Sequence, residues 1–379
     1  MVSEQGPDQH GRPLRSAADQ RAPTSDLVDS HPQSGARNSQ PDGIGRVVAV
    51  GEFCAWNNLG RNVVFASRAF RPLAIFDKTQ FPEDDELSQY DLDIHAIVEL
   101  PGADIVVVLN HLGLLRAFRA SDIRLAGPVR RLEPLWTCTF AEDVERVVAV
   151  GNRLVGSRPR EEHAGGVLVS EPILATATGT RVDADTKLET WGAVTTIAAL
   201  PGGDDLIAVG GEGRVALLSL GNGSVGHARW EVEVGFQPAA LIWDGKLVWA
   251  AGHGSDATEI GDYEWEKLRG GGFAGLDPVN GGTVVEGRFA HDLAWGNGGV
   301  AVAITAGVVC GIGRGGELHL FRAHDGKPLT RTAPLAARSL GIAHAAAVGE
   351  NVLYGFNRGG YRLHRLAVSS IARLAGLGA

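Results

Sequence analysis

RVVAVG at residues 46–51 recurs letter for letter at residues 146–151, and looser copies of the same apolar segment, each with a turn behind it, complete a series. The others are HAIVELPG (95–102), TTIAALPG (195–202), AALIWDG (239–245), HDLAWGN (291–297) and HAAAVGE (344–350). Aligned on the turn, the copies begin at Arg46, His95, Arg146, Thr195, Ala239, His291 and His344, spaced by 44 to 53 residues. A recurrence of that period marks a chain built of repeated supersecondary units. Each copy is followed by a second apolar run: VVFAS, IVVVLN, RLVGS, LIAVGG, LVWAAG, VAVAIT and VLYGFN in order. Most have a third, such as LAIFD, LLRAFR, VALLSL, FAGLDP, LHLFRA or YRLHRL, and room for a fourth. Pro101-Gly102, Asp244-Gly245, Asn280-Gly281 and Asp325-Gly326 punctuate the runs with hairpin-turn chemistry.

About fifty residues carrying four antiparallel strands make one blade of a β-propeller, and seven such sheets packed radially close a ring that hides most sheet edges. The sequence therefore predicts an all-β fold, a seven-bladed β-propeller over residues 44–379. Residues 1–43 consist mostly of Ser, Gln, Asp, Pro, Arg and Gly without Phe, Trp or Tyr, which predicts a disordered N-terminal tail. Through the turns FAGLDPVNGGTVV (273–285) and LHLFRAHDGKPL (318–329), placed between third and fourth strands, the chain resembles the YVTN, quinoprotein-like and WD40-like propeller superfamily. The resemblance implies architecture alone. The Trp-Asp signature of WD40 repeats occurs once, as Trp243-Asp244, in a first-to-second-strand turn. Propellers serve as enzymes, ligand binders and scaffolds, so function has to come from a site.

Composition narrows the partners. A net charge of -9 gives no basic face on which phosphates could release counterions, so nucleic acid is not expected as a partner. No stretch approaches the roughly twenty apolar residues of a membrane-spanning helix, and the start MVSEQGPDQHGRPL lacks the basic and apolar regions of a secretory signal. Cys54, Cys138 and Cys310 are widely spaced and form no metal-ligand pair, which fits a reducing compartment. Together these predict a cytoplasmic protein with no membrane partner.

The first strand of every blade lines the central channel, so the seven aligned residues form a ring at one height. His291, His344, Arg46, His95 and Arg146 occupy five consecutive blades once the last closes against the first. Imidazoles are common ligands of Fe, Zn, Mn and Cu, and three of them leave coordination positions open for water or substrate. His95, His291 and His344 are the candidate metal ligands, with a divalent transition metal as the candidate cofactor. Arg46 and Arg146 are the candidate ligand-binding residues, because guanidinium groups hold a carboxylate or phosphate. The arrangement is similar in outline to carotenoid-cleaving oxygenases, propellers that hold iron on the axis with four His. Three positions match here, and the long insertions covering the active site of those enzymes have no counterpart.

Two functions follow as expectations. One is a propeller binding a small, anionic molecule, with lyase, hydrolase or oxygenase chemistry at a three-His centre. The other is a noncatalytic scaffold with a protein partner. For the scaffold, the stretch 252–272 is the candidate contact, carrying Asp256, Glu259, Asp262, Glu264 and Glu266 beside Tyr263 and Trp265. Gly311, Gly313 and Gly316 spell G-x-G-x-x-G between two strand-like runs; without a following helix this reads as a hairpin turn, not a phosphate site. The H-E-x-x-H, G-x-S-x-G and C-x-x-C signatures do not occur.

Overall fold

The computed structural model describes residues within 44–367, leaving out connecting stretches of which the longest are 78–93, 159–165, 174–181, 255–270, 335–342 and 357–362. Residues 1–43, predicted as the tail, lie outside the described residues, and the seventh sheet is described as backbone.

The innermost strands are Ile44–Val50, Ile94–Leu100, Arg146–Val150, Thr196–Leu200, Gln237–Trp243, Val302–Thr305 and Ala343–Val348, each leading one of seven sheets. Within each sheet the chain moves outward through antiparallel neighbours, from Ile44–Val50 to Phe53–Asn58, Asn62–Ser67 and Pro72–Asp77 in blade 1. The ring closes because Ile44–Val50 lies against both Ile94–Leu100 of blade 2 and Ala343–Val348 of blade 7. The protein is a seven-bladed β-propeller.

Sandwiching every sheet between two others explains why the strands read as continuous apolar runs. The second strand of blade 2, Ile105–Asn110, shows it best, being buried at every position. Its Val106 and Val108 join the core shared with blade 1, while Ile105, Val107 and Leu109 turn to the core shared with blade 3. The two faces follow the period of two set by the pleat. The core is thus a series of layers between blades, such as Val155, Val167, Val209 and Leu218 between blades 3 and 4.

Two strand assignments differ from the sequence reading. In blade 1, VVFAS is the third strand and LAIFD the fourth, because FCAWNN pairs directly behind the first through a two-residue turn. In blade 6, VAVAIT supplies the innermost strand, not the second. Val302–Thr305 pairs with Val308–Ile312, and Leu293 bridges Gly313 ahead of it, so the hairpin of Trp295–Gly296 with Gly299–Val300 is an insertion in the line of the inner strand.

Neighbouring blades are also tied at the rim. In blade 5 the turn after Gly272–Leu276 leans on the fourth strand of blade 4, where the Trp230 indole donates to Pro278 O at 3.0 Å. Gly281 sits there with φ +74 and no room for a side chain, since an added Cβ would meet the indole at 2.8 Å. In blade 6, a Cβ on Gly326 would lie 2.2 Å from Glu286 O of blade 5. The turn between third and fourth strands therefore contacts the previous blade.

Candidate functional site

Along the inner strands, register can be counted from the hairpin that ends each one. Arg46, Arg146 and His344 each stand four residues before the closing pair, which is Val50 with Phe53, Val150 with Arg153, and Val348 with Asn351. In blade 2 that position is Ala96, and His95 falls in the irregularity between Ile94 and Ala96, as Arg46 falls in the one between Ile44 and Val47. The inner strands of blades 7, 1, 2 and 3 touch in sequence, so these four residues stand on adjoining strands. His291 lies outside the described residues, and among the described residues no group of three or more His, Cys, Asp and Glu forms a metal site.

The other side of the ring is structural. The Thr195 hydroxyl donates to Pro238 O at 2.6 Å and to Gly210 O at 3.1 Å, tying blade 4 to blade 5. The Thr196 hydroxyl accepts from Leu241 N at 3.2 Å across the same junction, and Ala239 is buried. Arg146 is half-buried and faces Ser157 across its strand pair.

Other reactive side chains are taken into packing. Burial pushes the thiols of Cys54 and Cys310 up to about 12, which removes the nucleophilic thiolate. His319 meets Phe289 edge-on at 6.0 Å between blades 5 and 6. The Asp244 carboxylate of the single Trp-Asp pair accepts from the amides of Lys246 and Leu247 at 2.8 Å and from the Trp249 indole at 2.7 Å, organising its hairpin.

His253 closes the second strand of blade 5, where burial pushes its imidazole down to about 4 from an ordinary 6.5. As pH falls below 6.5 the unfolded chain takes up a proton that the folded chain refuses, so stability drops until about pH 4 and is unaffected above 6.5. At about 1.4 kcal/mol per pH unit the loss reaches about 3 kcal/mol. Urea unfolding at pH 7 and pH 4 is expected to show that loss for wild type and to show it reduced by this amount for His253→Gln.

The most developed surface feature lies elsewhere, in the long connection of blade 2. Between Leu114–Arg119 and Trp136–Thr139 the chain makes an excursion over 120–135 that begins with one helical turn, Ala120–Arg124. Its residues Arg130–Arg131 then pair in parallel with Ala74 and Ile75, adding a fifth strand to blade 1. This is the rim contact of blades 5 and 6 enlarged into a strap.

The strap is held at both ends. Asp104 caps the helical turn, accepting from Ser121 N at 2.9 Å and the Ser121 hydroxyl at 2.6 Å. Arg124 pairs with the buried carboxylate of Glu99, reaches Asp104 at 3.7 Å and lies over the Phe53 ring at 5.6 Å. Farther on, Leu132 N donates to Ile75 O at 2.8 Å and Leu135 N to Ala117 O at 2.7 Å. Ala120, Ile123 and Leu132 enter the core between blades 1 and 2.

Against that anchored backbone, Leu125, Val129 and Leu135 are 45%, 41% and 39% exposed, and they are three of the five large exposed hydrophobics among the described residues. Arg130 and Arg131 are exposed beside them. The sequence reading missed this strap, although sixteen residues where blade 5 uses six to join the same two strands was a length signal. The acidic stretch that reading favoured lies outside the described residues over 255–270.

No protein-family model and no curated protein matches this sequence. Among solved structures, the chain is similar to the β-propeller domain of Cps50 (Swd1) from Myceliophteria thermophila, with a TM-score of 0.59 and 11% identity over 88% of this chain and 98% of that one. It is also similar to BamB from Moraxella catarrhalis, with a TM-score of 0.52 and 13% identity over 87% of this chain and 85% of that one. At such identities the likeness concerns the fold alone.

Proposed function

We propose that this chain is a noncatalytic protein-interaction propeller that docks a partner protein on the blade-2 strap. One observation carries the reading: a segment fixed at both ends by hydrogen bonds and core residues turns Leu125, Val129 and Leu135 to solvent. Exposed apolar side chains gathered on one segment mark a contact surface, and a backbone already ordered loses little entropy on binding. Capture of partners from the source-cell lysate with wild type and with the double variant Leu125→Asp, Val129→Asp tests it. A partner lost with the variant, at unchanged melting temperature, is the expected result; identical capture by both proteins overturns the reading.

The equal distance of Arg46, Arg146 and His344 from their closing hairpins supports a second reading, in which the channel mouth binds a small anionic ligand with a metal held by His95, His291 and His344. Elemental analysis tests its metal component. Stoichiometric Fe, Zn, Mn or Cu that disappears in His95→Ala, His291→Ala and His344→Ala supports it, and metal-free protein after reconstitution overturns it.

A further inference from the structure

The strap has a charge pattern as well as an apolar one. Arg119, at the end of the preceding strand, pairs with Asp122 at 3.8 Å, and of the strap's three arginines Arg124 is taken by Glu99 and Asp104. Arg130 and Arg131 are exposed and have no ion-pair partner among the described residues. They lie between Val129 and Leu135, with Glu133 as the one acidic side chain following them. Their backbone is fixed by the parallel pairing to Ala74 and Ile75, and as consecutive strand residues they present their side chains to opposite faces of that edge.

Resting on the reading of the strap as the docking surface, we infer that the partner docks through an acidic peptide segment bearing apolar side chains, with its carboxylates on Arg130 and Arg131. Each guanidinium group offers a planar donor pair that matches a carboxylate, one on either face of the edge strand along which a peptide would lie, and arginine flanked by apolar side chains is the composition of interface hot spots. The chain's net charge of -9 does not repel such a partner decisively. Screening confines charge effects to about 8 Å at physiological salt, so the overall charge counts for less than the groups a docked carboxylate touches, which on this edge include Arg130 and Arg131.

A random twelve-residue peptide library displayed on phage is the probe, selected on wild type and counter-selected on two variants. One is Arg130→Glu, Arg131→Glu; the other is Leu125→Asp, Val129→Asp. The expected result is a set of net-negative peptides carrying at least two apolar residues, whose affinity falls about tenfold or more on either variant and weakens with added salt. Neutral or basic peptides that discriminate against the apolar variant alone would overturn the acidic partner and leave the docking strap standing. Peptides that discriminate against neither variant, or none at all, would overturn both. If binding appears only after residues 81–93 are replaced by a Gly-Ser linker, the chain's own acidic stretch is the occupant and an external partner is overturned.

Discussion

Gly252→Ala is expected to cost more than about 4 kcal/mol and to leave little folded protein, the largest effect of an added methyl group among the described glycines. Gly252 lies in the second strand of blade 5 opposite Pro238, where the inner strand bulges between Pro238 and Ala240. A Cβ there would stand 1.7 Å from Gln237 O and 2.6 Å from Gln237 C. Both are backbone atoms of the channel strand, so no side-chain rotation relieves the overlap and the two strands have to separate. Gly102→Ala is the control, because a Cβ at Gly102 meets nothing within 4 Å. Chemical denaturation is expected to place Gly102→Ala within about 0.5 kcal/mol of wild type.

Phe118→Ala is expected to cost about 3–5 kcal/mol through the transfer and cavity terms of a buried aromatic side chain. Phe118 is fully buried between blades 1 and 2, with ring centroids 4.9 Å from Phe76 and 6.3 Å from Phe65. It is the residue of blade 2 on which the blade-1 aromatics converge, in the same layer that holds Ile123 and Leu132 of the strap. The variant is therefore expected to loosen the strap as well, seen as faster amide exchange at Leu132. Phe118→Leu, which keeps most of the volume, is expected to cost less than about 2 kcal/mol. Equal losses for the two variants would show that this layer does not pack as described.

Much of the architecture was legible because its cause is local. An inner strand covered on both faces has to be apolar throughout, and a turn follows it at once, so RVVAVG and its relatives stand out in the sequence. The order of strands within blades 1 and 6 was less legible. HDLAWGN and VAVAIT are apolar runs of similar length, and periodicity does not say which one faces the channel when a hairpin is inserted between them. Nor does the sequence encode the irregularities at His95 and Ala239, which depend on how the neighbouring strand pairs.

The strap was the least legible part. LAGPV at 125–129 reads as an ordinary loop, and the Arg130–Arg131 strand behind it pairs with Ala74 and Ile75, more than fifty residues earlier in the chain. Exposure of Leu125 and Val129 is likewise a tertiary fact that their letters do not carry. Arg146 and His344 pair with the residues four positions beyond their closing hairpins, whereas Arg46 falls in the irregularity between Ile44 and Val47. Thr195 could be aligned in the same way, but its hydrogen bonds to Pro238 and Gly210, which give it a packing role, could not be read from its letter.

Residue-level amide hydrogen exchange across 120–136, in the free protein and with the captured partner bound, tests the central claim most directly. The account predicts slow exchange at Leu132 and Leu135 in the free protein, because their amides donate to Ile75 O and Ala117 O, and added protection over 125–131 when the partner binds. A strap exchanging at the rate of an unstructured peptide, or a partner that protects another part of the ring and leaves 125–131 unchanged, would contradict it.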